Sequence, residues 1–399
     1  MKARLLVLIA GICACSTMTQ AQQADRDGLK VSGYIQLYYQ HGEQSASLIG
    51  EKREPTAEDF SRLGVRRGRA KLSYTQGLVT GVLQIDLTER GLGVKDAYVR
   101  MGVPILGQSF LQAGLFDRPF GHEIGYSSSR RESPERALIT RTLFPNERDL
   151  GAMLSLQASK NSWWHLFRLD AGLFGGNGVK AEQDSHLDFI GRLSAEIIKG
   201  RSFQWHAGTS LYYGGVYQGS PDRYTMQAGR FVLESKPEHI GRYARRSYAG
   251  LDTQMGWLSP LGWTRLRGEW IVGEQPASQK DSKSPNGALQ TSPTYVRPLQ
   301  GGYALLTQQI MQTPILLFVK YDWYDPNTAL DGGAIGLNHS GVADISYQTL
   351  GIGAQYSFGK SLRATAYWEQ TWNETTPNLS SHTRDLKDNR LTLALLYRF

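Results

Sequence analysis

The 399-residue sequence has two cysteines, Cys13 and Cys15, both within the first twenty-one residues. The remainder therefore has no disulfide framework, thiolate metal site or cysteine nucleophile. Long hydrophobic runs are also missing. Beyond residue 21 no purely apolar run exceeds the length of Ile315 to Val319, and mean hydropathy is −0.38. A helix needs about twenty apolar residues to cross a bilayer, so a helical membrane protein is excluded, whereas a barrel of strands is not. There is no Gly-x-Ser-x-Gly elbow, P-loop or His-Glu-x-x-His pair, and the eight histidines are scattered. The expectation is a protein that is not an enzyme and has no cofactor and no metal site. An excess of one charge is also slight, at 44 basic against 36 acidic residues. It gives no reason to invoke nucleic acid and gains meaning only if the charges line one cavity.

What is present begins with a leader. Lys2 and Arg4 precede a short apolar core, Leu5 to Ala14, and Thr19-Gln20-Ala21 offers small residues for cleavage. Residues 1–21 are read as a cleaved signal peptide and 22–399 as one domain. A lipidated Cys15 is the alternative processing.

Period-two alternation recurs along the whole chain. Val31, Gly33, Ile35 and Leu37 alternate with polar or aromatic residues; so do Leu83, Ile85 and Leu87, Phe189 to Ile197, and Leu350 to Phe358. The segments are about ten residues long, the length of a tilted membrane-crossing strand. Short turns such as Gln76-Gly77 and Phe358-Gly359-Lys360 interchange with long polar segments at 41–61, 116–147, 214–225, 274–299 and 325–343. Tryptophans 163, 164, 257, 263, 270, 368 and 372 fit interfacial girdles near strand ends. The chain closes on Leu391, Leu393, Leu395, Tyr397 and Phe399, apolar at every second position. Tyr397 and Phe399 are the candidate outer-membrane sorting signal. The pattern predicts an all-β transmembrane antiparallel barrel of about sixteen strands.

The sharpest charge feature is Arg62 to Tyr74, with five basic residues and no acid. On a strand, Arg67, Arg69, Lys71 and Ser73 share one face, and Ala70, Leu72 and Tyr74 the other. A basic residue facing lipid at the midplane costs roughly 2–4 kcal/mol, so in a barrel this row faces the lumen, where it attracts anions. A surface strand or periplasmic rim is the ordinary alternative. The segment from Gly114 to Leu150 is placed to fold into the pore. Its arginines 118, 130, 131, 136, 141 and 148 are matched by six acids, so its contribution to selectivity depends on which charges point inward. Asp96, Tyr98 and Arg100 share a strand face; Asp96 and Arg100 either modulate the pore or pair across strands.

The arginine-rich strand, the run Gly-Leu-Phe-Asp-Arg-Pro-Phe-Gly-His-Glu from Gly114, Pro134-Glu135-Arg136 and the closing Tyr-Arg-Phe resemble the porin O and P family of phosphate-selective porins. The resemblance is clearest from Arg62 to Leu154. It implies a trimeric sixteen-stranded barrel in the Gram-negative outer membrane, folded by the barrel-assembly machinery, that passes phosphate or polyphosphate. By it, Arg67, Arg69 and Lys71 stand on a basic pore wall and Arg118, Arg130, Arg131 and Arg136 in a constriction loop. The chain departs from the family in having no lysine between Lys95 and Lys160. The expected function is passive diffusion of small anions across the lipid bilayer. The rivals are a general or sugar porin, with Tyr34, Tyr38, Tyr212 and Tyr367 as stacking rungs, and a non-conducting adhesin.

Overall fold

In a computed structural model, residues 27–49, 59–180, 184–285 and 292–399 are described. The leader and its cleavage site lie outside them. Alternation becomes strand almost everywhere it was expected. Strands β1 (Gly28–Glu43), β2 (Asp59–Gln76), β3 (Val79–Thr88), β4 (Gly91–Val103), β5 (Ser109–Asp117), β6 (Arg148–Leu156), β7 (Phe167–Phe174), β8 (Asp188–Lys199) and β9 (Phe203–Tyr217) pair antiparallel in chain order. A hairpin, β10 (Asp222–Gln227) and β11 (Arg230–Ser235), follows in a connection and is bypassed, because β9 pairs directly with β12 (Tyr243–Ser259). The ring continues through β13 (Gly262–Ala277), β14 (Thr294–Gln309), β15 (Ile315–Asp325), β16 (Tyr347–Phe358), β17 (Leu362–Asn373) and β18 (Arg390–Arg398). Strand β18 then pairs with β1, closing sixteen strands with no free edge.

The seam explains a glycine in the first strand. Gly33 and Phe399 exchange backbone hydrogen bonds of 3.0 and 3.1 Å. A Cβ at Gly33 would stand 2.5 Å from the Phe399 ring. Turns on one side are tight: Gln76 pairs with Val79 across Gly77-Leu78, and Gly77 takes φ +58°, the left-handed conformation that a two-residue hairpin requires. Connections on the other side are long, including 118–147, 218–242, 326–346 and 374–389. The expected segment 214–225 is displaced: β9 continues to Tyr217 and the connection runs to 242, carrying a hairpin whose strand alternation hid it, while 374–389 was missed because it follows a strand without a punctuating glycine.

The barrel is inverted relative to a soluble sheet. On β1, Tyr38 is 1% exposed, whereas Leu37 and Tyr39 are 39% and 41% exposed on the outside. Val31, Leu83, Leu193, Ile352 and Leu395 continue the outer belt. Each large apolar side chain left in water forgoes roughly 1.5–3 kcal/mol. A belt of this extent, beyond the few hundred Å² that soluble monomers expose, calls for a hydrocarbon surrounding. Trp163 and Trp164 stack at 3.9 Å at the short-turn end, while Trp270 and Trp368 sit nearer mid-strand than a girdle requires.

The inner face is polar: Gln36, Gln40, Arg67, Arg69, Gln84 and Asp96 are all buried. Inside the ring the segment 118–147, with one short helix at Leu138–Leu143, packs against the wall. Phe120, Ile124, Ile139, Leu143 and Phe144 form an apolar cluster with inward residues of β5–β9, β12–β15 and β17, such as Tyr212, Tyr248 and Tyr303. Phe120 and Phe144 rings lie 4.9 Å apart, and Phe144 stands 5.7 Å from Tyr248. Gly250 on β12 makes room, since a Cβ there would meet the Phe120 ring at 3.0 Å.

Candidate functional site

Strand β2 sets the charge of the inner wall. Arg67, Arg69 and Lys71 point inward as the alternation requires, with Leu72 and Tyr74 outside. A bulge opposite Gln36 and Leu37 adds an extra residue. Arg66 thereby also turns inward, and Arg66 and Arg67 reach the same carboxylate, Glu135 of the segment, at 2.6 and 3.1 Å. Arg69 pairs with Asp86 at 3.2 Å and donates to Ser128 at 3.1 Å. Lys71 has no ion-pair partner among the described residues and lines a cavity.

The acids of the segment are consumed by cations. Glu132 forms two charged hydrogen bonds with Arg267 of β13. Glu123 accepts the Ala137 N–H at 3.0 Å and lies 3.7 Å from Lys320. Glu147 pairs with Arg136 and, at 2.8 Å, with Arg148. Burial pushes Glu135 and Glu147 up, but the arginines around each outweigh it, holding both carboxyls below the ordinary carboxylate range. His122 and Glu123 donate backbone N–H groups, each at 3.0 Å, to Glu269. The segment is thus bolted to β1, β2, β13, β15, β16 and β17, in part through Tyr38 donating to the Pro134 carbonyl at 2.8 Å and Gln355 to that of Glu132 at 2.8 Å.

Its arginines divide by role. Arg118 pairs with Asp149 at 3.0 Å, both buried. Arg136 binds the carbonyls of Glu123 and Ile124 besides Glu147. Arg131 donates to the Ser133 and Pro134 carbonyls; burial, with Arg136 and Arg67 nearby, pushes it down to about 10, so it stays charged. These three hold the shape of the segment. Arg130 is exposed on its surface. Asp96 faces inward and pairs with Arg148 at 3.0 Å, across the intervening β5. Arg100 faces inward beside it and binds Gln112. Tyr397 and Phe399 lie on the outer face at the short-turn end.

Two cavities remain beside this packing, and β2 passes both. The outer one, about 200 Å³, lies towards the long connections. Arg66, Arg67, Arg69, Lys95, Arg136, Arg141 and Lys283 there face three acids, Asp86, Glu135 and Glu147. The inner one, about 430 Å³, lies towards the short turns. Lys71, Arg100, Arg118, Arg168 and Arg192 there face Asp96, Asp117 and Asp170. His122 also lines it, and burial followed by Arg267 pushes that imidazole down to about 4, so it is neutral. Arg66, Lys95, Arg141, Arg168, Arg192 and Lys283 were not assigned to the pore wall from the sequence. Arg192 was legible as the polar side of an alternating strand. Arg66 carried no signal, because a bulge moved it to the inner face. No grouping of three or more metal-binding side chains occurs among the described residues.

No protein-family model matches the chain, and no curated protein matches it in sequence. Solved structures do match. The outer membrane channel DcaP of Acinetobacter baumannii aligns over 93% of this chain and 97% of its own, with TM-score 0.57 and 11% identity. The anion-selective porin from Comamonas acidovorans aligns over 93% and 99%, with TM-score 0.56 and 11% identity. OmpT of Vibrio cholerae, in its trimer form, aligns over 93% and 99%, with TM-score 0.55 and 11% identity. At such identities the likeness shows the fold, which is the closed sixteen-stranded barrel of outer-membrane porins.

Proposed function

We propose that the chain is an outer-membrane porin through which small anions diffuse passively. The observation that carries this reading is the imbalance of charge where the interior stays open. Seven basic groups face three acids in the outer cavity, and five face three in the inner one. Anions are drawn towards such walls, and carboxylates interleaved with the cations keep binding weak enough for release. Phosphate or polyphosphate is the finer expectation, supported by the arginine row on β2. The trimer form of the Vibrio cholerae neighbour makes a homotrimer the expected assembly, inserted by the barrel-assembly machinery. Against a sugar slide, the tyrosines are covered: Tyr34 bonds Ser128 at 2.8 Å, Tyr38 bonds Pro134, and Tyr212 lies against Phe144.

The experiment is the reversal potential of the reconstituted protein in a potassium chloride gradient, repeated with added phosphate. Anion selectivity with block by phosphate is expected. Cation selectivity refutes the reading. Anion selectivity without phosphate block leaves a general anion pore, and absence of steady conductance favours the adhesin.

A further inference from the structure

The two cavities differ in chemistry as well as position. In the outer cavity Arg66, Arg67, Arg69, Lys95 and Arg136 engage carboxylates, while Arg141 and Lys283 have none among the described residues, and no cluster of aromatic side chains lines it. In the inner cavity the acids are spoken for: Asp96 and Asp117 pair with Arg148 at 3.0 and 2.9 Å, and Asp170 with Arg168 at 2.9 Å. Arg118 and Arg192 pair with Asp149 and Asp252. Among the described residues, Lys71 and Arg100 are left as the two lining cations without a carboxylate.

Arg100 is held rigidly all the same. Its Nε and Nη2 both donate to Gln112 Oε1, at 2.9 and 2.7 Å. A neutral amide oxygen fixes the guanidinium without cancelling its charge, and Nη1 has no partner among the described residues. Its carbon lies 4.2 Å from the Phe110 ring centroid and 5.8 Å from that of Tyr98. Arg168 covers Phe110 at 5.3 Å. Tyr98, Phe116, Tyr126 and Met153 line the same cavity. A planar fork suits a carboxylate, and aromatic walls suit a flat apolar body. Inorganic phosphate would use the fork and leave those walls without a partner. The volume, about 430 Å³, is in the range of small-molecule sites.

We propose that the inner cavity is a binding subsite for aromatic carboxylates, with Arg100 receiving the carboxylate, Lys71 adding positive charge to the same cavity and Tyr98 flanking the ring. The proposal deepens the porin reading and rests on it.

The test uses benzoate, acetate and inorganic phosphate against chloride current through the full reconstituted chain, with calorimetric titration of benzoate into the detergent-purified protein. Benzoate is expected to half-block at a concentration at least tenfold below acetate or phosphate, and R100Q to remove at least tenfold of that advantage. Tyr98→Ala should lower benzoate potency and leave acetate unmoved. If R100Q fails to assemble, Arg100→Lys, which keeps the charge but loses the planar fork, reads the same contact by a lowered benzoate potency. An anion-selective channel in which benzoate acts no better than acetate, with no heat of binding, overturns this inference and leaves the porin reading standing. A cation-selective or silent barrel overturns both.

Discussion

Replacing Lys71 by Glu tests the charge argument more directly than any change at the arginines. Lys71 lines the inner cavity and pairs with no carboxylate among the described residues, so removing it strands no buried acid. Arg67→Glu, by contrast, would set a second carboxylate beside Glu135, which Arg67 now meets at 3.1 Å. Its phenotype would then report a dislodged segment as much as an altered conduit. Two unit charges about 4 Å apart interact by ~1 kcal/mol in water. Lys71→Glu exchanges that attraction for an equal repulsion, so a passing anion loses ~2 kcal/mol, roughly a thirtyfold fall in local population. Screening removes little of this at such a distance, because the Debye length at 0.1 M salt is about 10 Å. The basic-to-acidic balance of the cavity falls from five against three to four against four. The assay is the reversal potential in a tenfold potassium chloride gradient, with Lys71→Met as the intermediate step. The preference for chloride should weaken stepwise from Lys to Met to Glu. An unchanged reversal potential in a properly assembled Lys71→Glu barrel would show that this wall does not border the ion path.

Other perturbations address the inner segment and the outer rim. Phe120, fully buried between Phe144 and Tyr248, anchors the segment; Phe120→Ala should cost about 3–5 kcal/mol, read as earlier heat-induced unfolding on gels and noisier open-channel current. Glu132→Ala strands Arg267 in a pair whose side chains are 6% and 8% exposed, so a loss of about 3–5 kcal/mol is expected by thermal melt, and a melt equal to wild type would refute the bolt. Burial, then Asp385 and Glu43, push Asp388 in the connection 374–389 up to about 7. The folded connection therefore holds that proton more tightly than a free chain. Its contribution is full below the ordinary carboxylate range and is lost as pH rises through about 7. Proteolysis of 374–389 should be faster at pH 8 than at pH 6, and D388N should flatten the difference.

How much was readable beforehand follows from range. The strands and their approximate number came from a local rule, since side chains alternate every residue whatever the partner strand; which face met lipid did not, and was inferred from the leader, the tryptophans and the closing Phe399. The bulge at Arg66 broke that rule, and no local feature marks it. The segment 118–147 showed its length and charge balance but not its placement. Its apolar residues, Phe120, Ile124, Ile139, Leu143 and Phe144, follow neither period. The cluster they join runs from Phe116, Met153, Phe174 and Ile190 on nearby strands to Tyr303, Phe318 and Tyr367 far along the chain, so no local pattern gathers it. The same distance hid which arginines are structural. Arg118 and Arg136 look alike in the sequence to Arg130, yet the first two are buried in charge pairs and the last is exposed.

That division changes which charge matters for the proposed conduit. A count of arginines overstates the field, because a guanidinium about 3 Å from a carboxylate presents a dipole to an ion several ångströms away. Arg67 and Arg69, the centre of the basic row, are of this kind, with Glu135 and Asp86 as counterions. They bolt the segment against β2 and so shape the opening. Among the described residues, the lining cations without a carboxylate are Arg141 and Lys283 in the outer cavity and Lys71 and Arg100 in the inner one, where Gln112 stands beside Arg100 in place of an acid. Swapping Gln112 for Glu would pair Arg100 without disturbing its geometry and remove one of the two unpaired charges of the inner cavity. Selectivity should then fall by about as much as with Lys71→Met, whereas a field set by the total count of basic residues would scarcely notice either change.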